Sequence, residues 1–124
     1  MDTARPLAPK DELGRYGEDL AAQHLVEDGL TVLDRNWRCQ DGELDVVARD
    51  PTRLVFCEVK TRSSEEFGTP AEAVTPAKKA RIRTLARHWQ DEHDVRAPEL
   101  RLDVISVLAP AGGPVQLEHL CEAL

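Results

Sequence analysis

The chemistry of this 124-residue chain gathers at Asp45 and, after twelve intervening residues, at Glu58-Val59-Lys60. Glu43 stands two residues before Asp45, and Glu58 two before Lys60. In an extended strand, residues i and i+2 face the same way. A strand over 43–48 therefore puts Glu43 and Asp45 on one face, with Leu44 and Val46 on the other. A strand over 54–60 does the same for Glu58 and Lys60, with Cys57 and Val59 opposite. The stretch Arg49-Asp50-Pro51-Thr52-Arg53 reads as the turn of an antiparallel hairpin. If that turn is centred between Pro51 and Thr52, Asp45 lies across from Glu58 and Glu43 across from Lys60. Two opposed carboxylates about 5 Å apart repel or share a proton unless a cation sits between them. Oxygen donors on a rigid surface suit a hard ion such as Mg²⁺ or Mn²⁺. Such an ion polarises a phosphoryl oxygen and acidifies an attacking water. Lys60 is placed to orient that water or to offset charge on the phosphate. A solvated, salt-bridged strand face explains Glu43 against Lys60 as well, so both readings stand at this level.

The elements that must position these groups can be read from periodicity. A helix over 11–28, capped by Asp11, has the stripe Leu13, Tyr16, Gly17, Leu20, Ala21, His24 and Leu25, with Gly29 as its stop. Glu18 falls on the edge of that stripe, where it can bring a further carboxylate to the site. Strands are expected over 30–37, 43–48, 54–60, 100–108 and 115–120, with a turn at 39–42 and a polar loop over 63–74. Thr75-Pro76 starts a second helix that runs to about residue 91 on Ile82, Leu85, Ala86 and Trp89. Residues 1–10 read as a loose leader and 11–124 as a single domain. The order α-β-β-β-α-β-β belongs to the α/β class, a mixed sheet flanked by helices.

Several blocks together carry a resemblance. They are Gly14-Arg15-Tyr16-Gly17-Glu18, Arg35-Asn36-Trp37-Arg38, Gly42-Glu43-Leu44-Asp45, Phe56-Cys57-Glu58-Val59-Lys60-Thr61-Arg62, and Val74-Thr75-Pro76 with Lys78 and Lys79. The Asp…Glu-x-Lys spacing is similar to that of restriction-endonuclease-like nucleases. The full set, over residues 12–120, resembles the YraN-like family of small bacterial endonuclease-like proteins, related in fold to archaeal Holliday-junction resolvases. The resemblance implies a restriction-endonuclease-like α/β/α sandwich around a central mixed sheet. It implies metal ligation by Asp45 and Glu58, Lys60 as the catalytic lysine, and Glu18 as the helix carboxylate of resolvase-like members. Position 44 is Leu where the founding signature has proline. The implied reaction is metal-dependent hydrolysis of DNA phosphodiesters, with branched or damaged duplex among the substrates. Symmetric cutting of a junction needs two sites, which makes a homodimer attractive. The alternative is a non-catalytic nucleic-acid-binding or adaptor module that keeps the fold, and an RNA substrate is a third reading.

Residues 75–90 contain Lys78, Lys79, Arg81, Arg83 and Arg87 and no acid. A helix start with lysines suits phosphate, and Arg35, Arg38 and Arg62 would extend the track. Trp37 could stack on a base, whereas Trp89 lies on the apolar stripe and reads as core. Cys57 reads as core and His24 as a packing residue. His119 has no visible partner, and Asp103 interrupts an apolar strand without an evident role.

The composition constrains these readings. Lys and Arg number 16 against 23 Asp and Glu, for a net charge of −7. Taken whole, that balance argues against a polyanion coat or a polybasic membrane binder. The acids concentrate toward the two ends, however, and the middle carries the basic surface. The expected binding is weak and salt-sensitive away from the site. Three cysteines with no Cys-x-x-Cys spacing argue against a disulfide framework or a cysteine zinc site, and fit a cytoplasmic protein.

Overall fold

Leu54-Val55-Phe56-Cys57 is an unbroken apolar run, and all four residues are buried. Such a strand needs cover on both faces. The computed structural model describes residues 9–64 and 74–124 and shows how that cover is supplied. The elements are α1 (Pro9–Glu27), β1 (Thr31–Cys39), β2 (Gly42–Arg49), β3 (Arg53–Arg62), α2 (Pro76–His93), β4 (Glu99–Leu108) and β5 (Gln116–Ala123). The strands form one sheet in the order β1-β2-β3-β4-β5. Only the β3/β4 pair is parallel, with α2 in the connection between them. This is the mixed sheet and element order expected from the sequence.

Each helix covers one face. Ala21 and Leu25 of α1 pack with Val46, Ala48, Val55, Cys57, Ile105 and Val107. Ile82, Leu85, Ala86 and Trp89 of α2 pack with Trp37, Leu44, Leu54, Phe56 and Leu102. A side chain of this size, fully buried, contributes about 1.5–3 kcal/mol. Helix α1 begins at Pro9, two residues before the expected start at Asp11. The first eight residues of the expected leader, and residues 65–73 of the expected polar loop, lie outside the described residues. Tyr16 is 45% exposed, because the buried line of α1 narrows to Gly17, Ala21 and Leu25. The last strand starts one residue later than expected and runs to Ala123.

The turn between β2 and β3 is built by Asp50. Its Oδ1 accepts from the Thr52 and Arg53 amides at 3.0 and 2.8 Å, an Asx turn that fixes the register. The ladder pairs Arg49 with Leu54 through to Val46 with Cys57, in the register expected from the turn, and stops there. Beyond it, β2 pairs only with β1, while β3 continues along β4 to Arg62.

The alternation of β2 also breaks at this point. Leu44 belongs to the α2-side core and Val46 to the α1-side core, so they do not share the face expected of them. Opposite the break, Asn36 adopts a left-handed conformation (φ 54°), which turns the end of the β1–β2 hairpin toward α2. Three polar ties fasten it there. The Trp37 indole donates to Glu92 (3.1 Å), the Trp89 indole donates to Asp34 (2.9 Å), and His88 lies 3.0 Å from Asp41.

On the other face, α1 approaches β3 most closely at Gly17. A Cβ there would lie 1.8 Å from Thr61 Oγ1 and 2.8 Å from Thr61 Cβ. Gly17→Ala is therefore expected to cost about 1–3 kcal/mol in urea unfolding. Adding Thr61→Ala should return part of that loss, and strict additivity of the two changes would show that this contact is not the cause.

Candidate active site

The parting of β2 from β3 frees backbone groups on β3 that a ladder would otherwise use. Asp45 fills this opening: its Oδ2 accepts from the Val59 amide at 2.9 Å. The other carboxylate oxygen has no hydrogen-bond partner among the described residues. Glu58 is the first residue of β3 past the last β2 rung, on the face opposite the buried Cys57. Its Oε2 lies 3.5 Å from Lys60 Nζ and 2.5 Å from Lys78 Nζ. Asp45 and Glu58 border a hollow of about 520 Å³, lined also by Arg38, Glu43 and Arg81 among others.

The electrostatics fit a cation site. Burial, against the lowering pull of the Val59 amide, pushes Asp45 up to about 6, and Glu58, Glu18 and Glu43 add to the rise. Glu18 is carried to this field by α1, whose adjacent Gly17 permits the close approach to Thr61. The available donors are mainly carboxylate oxygens, the set a hard divalent ion prefers.

Asp45, Glu58 and Lys60 are thus brought together, and Glu18 is near enough to add to the rise of Asp45 with no hydrogen bond or ion pair to the other three. The expected phosphate contacts divide. Arg38 and Arg81 border the hollow, with Arg38 3.7 Å from Glu43. Lys78 turns inward to Glu58. Its amide donates to the capping Thr75 hydroxyl (3.1 Å), so Glu58 brings negative charge to a helix start that has no acid of its own. Arg35 pairs with Asp19 (2.8 Å) and Lys79 lies 3.7 Å from Glu122, both outside the lining of the hollow. Arg62 ends β3, and its carbonyl accepts from the Ala109 amide at 2.8 Å. Glu43 is not paired with Lys60, because the β2/β3 ladder ends at Val46 and Cys57; its rung is with Arg38 on β1. Trp37 is buried with its indole bonded to Glu92, so it offers no surface for base stacking.

A family profile described as "Uncharacterised protein family UPF0102", the YraN family, matches residues 17–107, a span that contains the whole cluster. This chain belongs to that family. It is 56% identical over 111 residues to a UPF0102 protein of Frankia alni, covering 90% of this chain and 92% of the relative. It is 57% identical over 111 residues to one from Beutenbergia cavernae, covering 90% and 94%. With one from Nocardioides sp. it shares 48% over 120 residues, 97% of each chain. No helix among the described residues is long and apolar enough to cross a membrane.

A second polar cluster was not visible in the sequence. Asp103 is fully buried and accepts from Arg101 Nε and Nη2 at 2.7 and 2.9 Å. His119 Nε2 lies 2.6 Å from Asp103 Oδ2, and its Nδ1 lies 3.0 Å from His24 Nε2. Cys121 Sγ lies 3.6 Å from the same Nε2, so His119 has three partners, one of them 95 positions away in the chain. Only the unexplained Asp103 in an apolar strand could have signalled this. Burial works to raise the Asp103 pKa, but the His119 and Arg101 hydrogen bonds outweigh it and hold the carboxyl below its usual value.

Two outcomes follow for stability. Because folding raises the Asp45 pKa from 3.8 to about 6, ionising it opposes folding. That cost is absent below pH 3.8, grows as the pH rises to about 6, and is complete above it. With chelator present, Asp45→Asn should gain about 2 kcal/mol at pH 8 and little at pH 4 by thermal unfolding, after allowing for partial solvent screening. Equal gains at both pH values would rule out charge burial as the cause. Asp103 has the opposite sign: its contribution is present above pH 3.8 and lost as the pH falls through its lowered folded value. Asp103→Asn should lose about 3–5 kcal/mol in urea at pH 7, since it strands Arg101 beside His119. A loss under 1 kcal/mol would mean that those partners find water instead.

Proposed function

We propose that this chain is a metal-dependent endonuclease that hydrolyses DNA phosphodiester bonds, branched or damaged duplex among them. The observation that carries the reading is the meeting of Asp45, Glu58 and Lys60 where β2 leaves β3, with Asp45 raised to about 6 by burial first and by the neighbouring carboxylates second. Family membership is compatible with it and names no activity. In this reading, Asp45 and Glu58 hold Mg²⁺ or Mn²⁺, and Glu18 completes the acidic field. When bound, the ion supplies Lewis-acid polarisation of the scissile phosphate and a more acidic water.

The chain's own groups do the remaining work. The Val59 amide holds the Asp45 carboxylate through Oδ2, which leaves Oδ1 outside that bond. Lys60 is 44% exposed and within reach of Glu58, so its ammonium can orient the attacking water and offset charge on the phosphoryl oxygens. Arg81 on α2 and Arg38 on the hairpin flank the hollow and hold neighbouring phosphates. A duplex or junction is cut on two strands, so the proposal includes a homodimer with one hollow per copy. A second reading, an adaptor that binds nucleic acid without cutting it, draws on Lys78. Its ammonium sits on Glu58 and neutralises the carboxylate a metal would need.

The test is a panel of branched, flapped and plain duplex DNA, with matching RNAs, incubated with Mg²⁺ or Mn²⁺. Wild-type protein should cleave DNA. Asp45→Asn, Glu58→Gln and Lys60→Ala should each lower the rate by at least about 100-fold with binding retained. Cleavage that survives the first two changes would place the chemistry elsewhere. Salt-sensitive binding without any cleavage by the wild type would establish the adaptor.

A further inference from the structure

The cluster around Asp103 lies on the α1 side of the sheet, at the β4/β5 pair, on the face opposite Glu58. Asp103 pairs in register with Cys121, and Ile105 with His119. The side chains of Asp103, His119 and Cys121 each bring one donor atom, and these three atoms lie within 4.8 Å of one another. The central donor is His119 Nε2, 2.6 Å from Asp103 Oδ2 and 3.6 Å from Cys121 Sγ. We propose that these three residues form a second metal site, selective for a borderline ion of the Zn²⁺ class and independent of the acidic hollow.

Four observations support it. First, imidazole, thiolate and carboxylate together match the donor preference of Zn²⁺ and not that of Mg²⁺. Second, the spacing fits. Tetrahedral Zn²⁺ with ordinary bond lengths puts a sulfur and a nitrogen ligand about 3.6 Å apart, and a nitrogen and an oxygen about 3.3 Å apart. The sulfur–nitrogen distance already agrees. The nitrogen–oxygen distance is short because a proton now lies between the two atoms, and the ion would take that proton's place. Third, the outer partners are present. Arg101 holds both Asp103 oxygens, Nε on Oδ1 and Nη2 on Oδ2, which fixes the carboxylate while Oδ2 keeps a second lone pair for the ion, and His24 meets the other nitrogen of the His119 ring. Metal-bound histidines and carboxylates are commonly fixed by such groups. Fourth, there is an entry path. Cys121 is free and exposed, and a hollow of about 500 Å³ reaches both Cys121 and Arg101. That leaves a fourth position open to water. Binding releases the thiol proton, and the ring proton of His119 moves from Nε2 to Nδ1, where His24 accepts it, so His119 binds as a neutral imidazole and no further reactant is needed.

The experiment is a Co²⁺ titration of the full chain, stripped with chelator and kept reduced. The expected result is a near-ultraviolet thiolate-to-cobalt band that saturates at one equivalent and is bleached by Zn²⁺. The band should disappear in Cys121→Ser, an exposed change that leaves the fold intact by circular dichroism, and in His119→Gln. It should persist in the Asp45→Asn/Glu58→Gln double variant, whether or not the chain cleaves DNA. Absence of the band, its survival in Cys121→Ser, or its loss in the double variant would each overturn the proposal.

Discussion

The hydrogen bond from the Val59 amide to Asp45 is the point on which the site depends. A sheet whose ladder stops in mid-strand leaves backbone donors that must find partners. Here the donor is met by a carboxylate rather than by a neighbouring strand. That substitution lets β2 and β3 separate without leaving an unsatisfied buried group, and the separation makes room for the hollow. The same bond lowers the cost of burying Asp45 but does not cancel it, because burial and three nearby carboxylates work against it. The acidic site is thus held in a condition less stable than its surroundings, as is common where charge must later meet a ligand.

The two helices serve this arrangement differently. Helix α1 supplies Glu18 by lying so close to β3 that position 17 has no room for a side chain. Helix α2 anchors the β1–β2 hairpin through two indoles and a histidine, and so fixes the wall of the hollow that carries Arg38 and Glu43. It also delivers Lys78 to Glu58 from its first turn. Helix packing and site geometry are therefore coupled: a shift of either helix moves a charge.

Much of this was legible in the sequence because it rests on local rules. The Pro51-Thr52 turn set the β2/β3 register correctly, which brought Asp45 and Glu58 into one neighbourhood, and the apolar stripe of α2 placed Trp89 in the core. The misreadings arose where a local rule yielded to tertiary structure. Strict alternation put Leu44 with Val46, but the left-handed Asn36 and the end of the β2/β3 ladder broke that alternation. Asn tolerates this conformation, so the signal was weak though present. Lys78 read as a surface phosphate contact because its partner lies twenty positions away on another element. The His24–His119–Asp103 chain joins three distant elements and leaves no periodic trace, apart from one acid in an apolar strand.

Holding Asp45 by a main-chain amide has a consequence for how the sequence can drift. An amide is present whatever side chain residue 59 bears, so the anchor is insensitive to substitution there with the single exception of proline. The side chain of Val59 faces the α1 core and is free to change in size with its packing neighbours. Core and site can therefore diversify separately at the same position, one through the side chain and the other through the backbone.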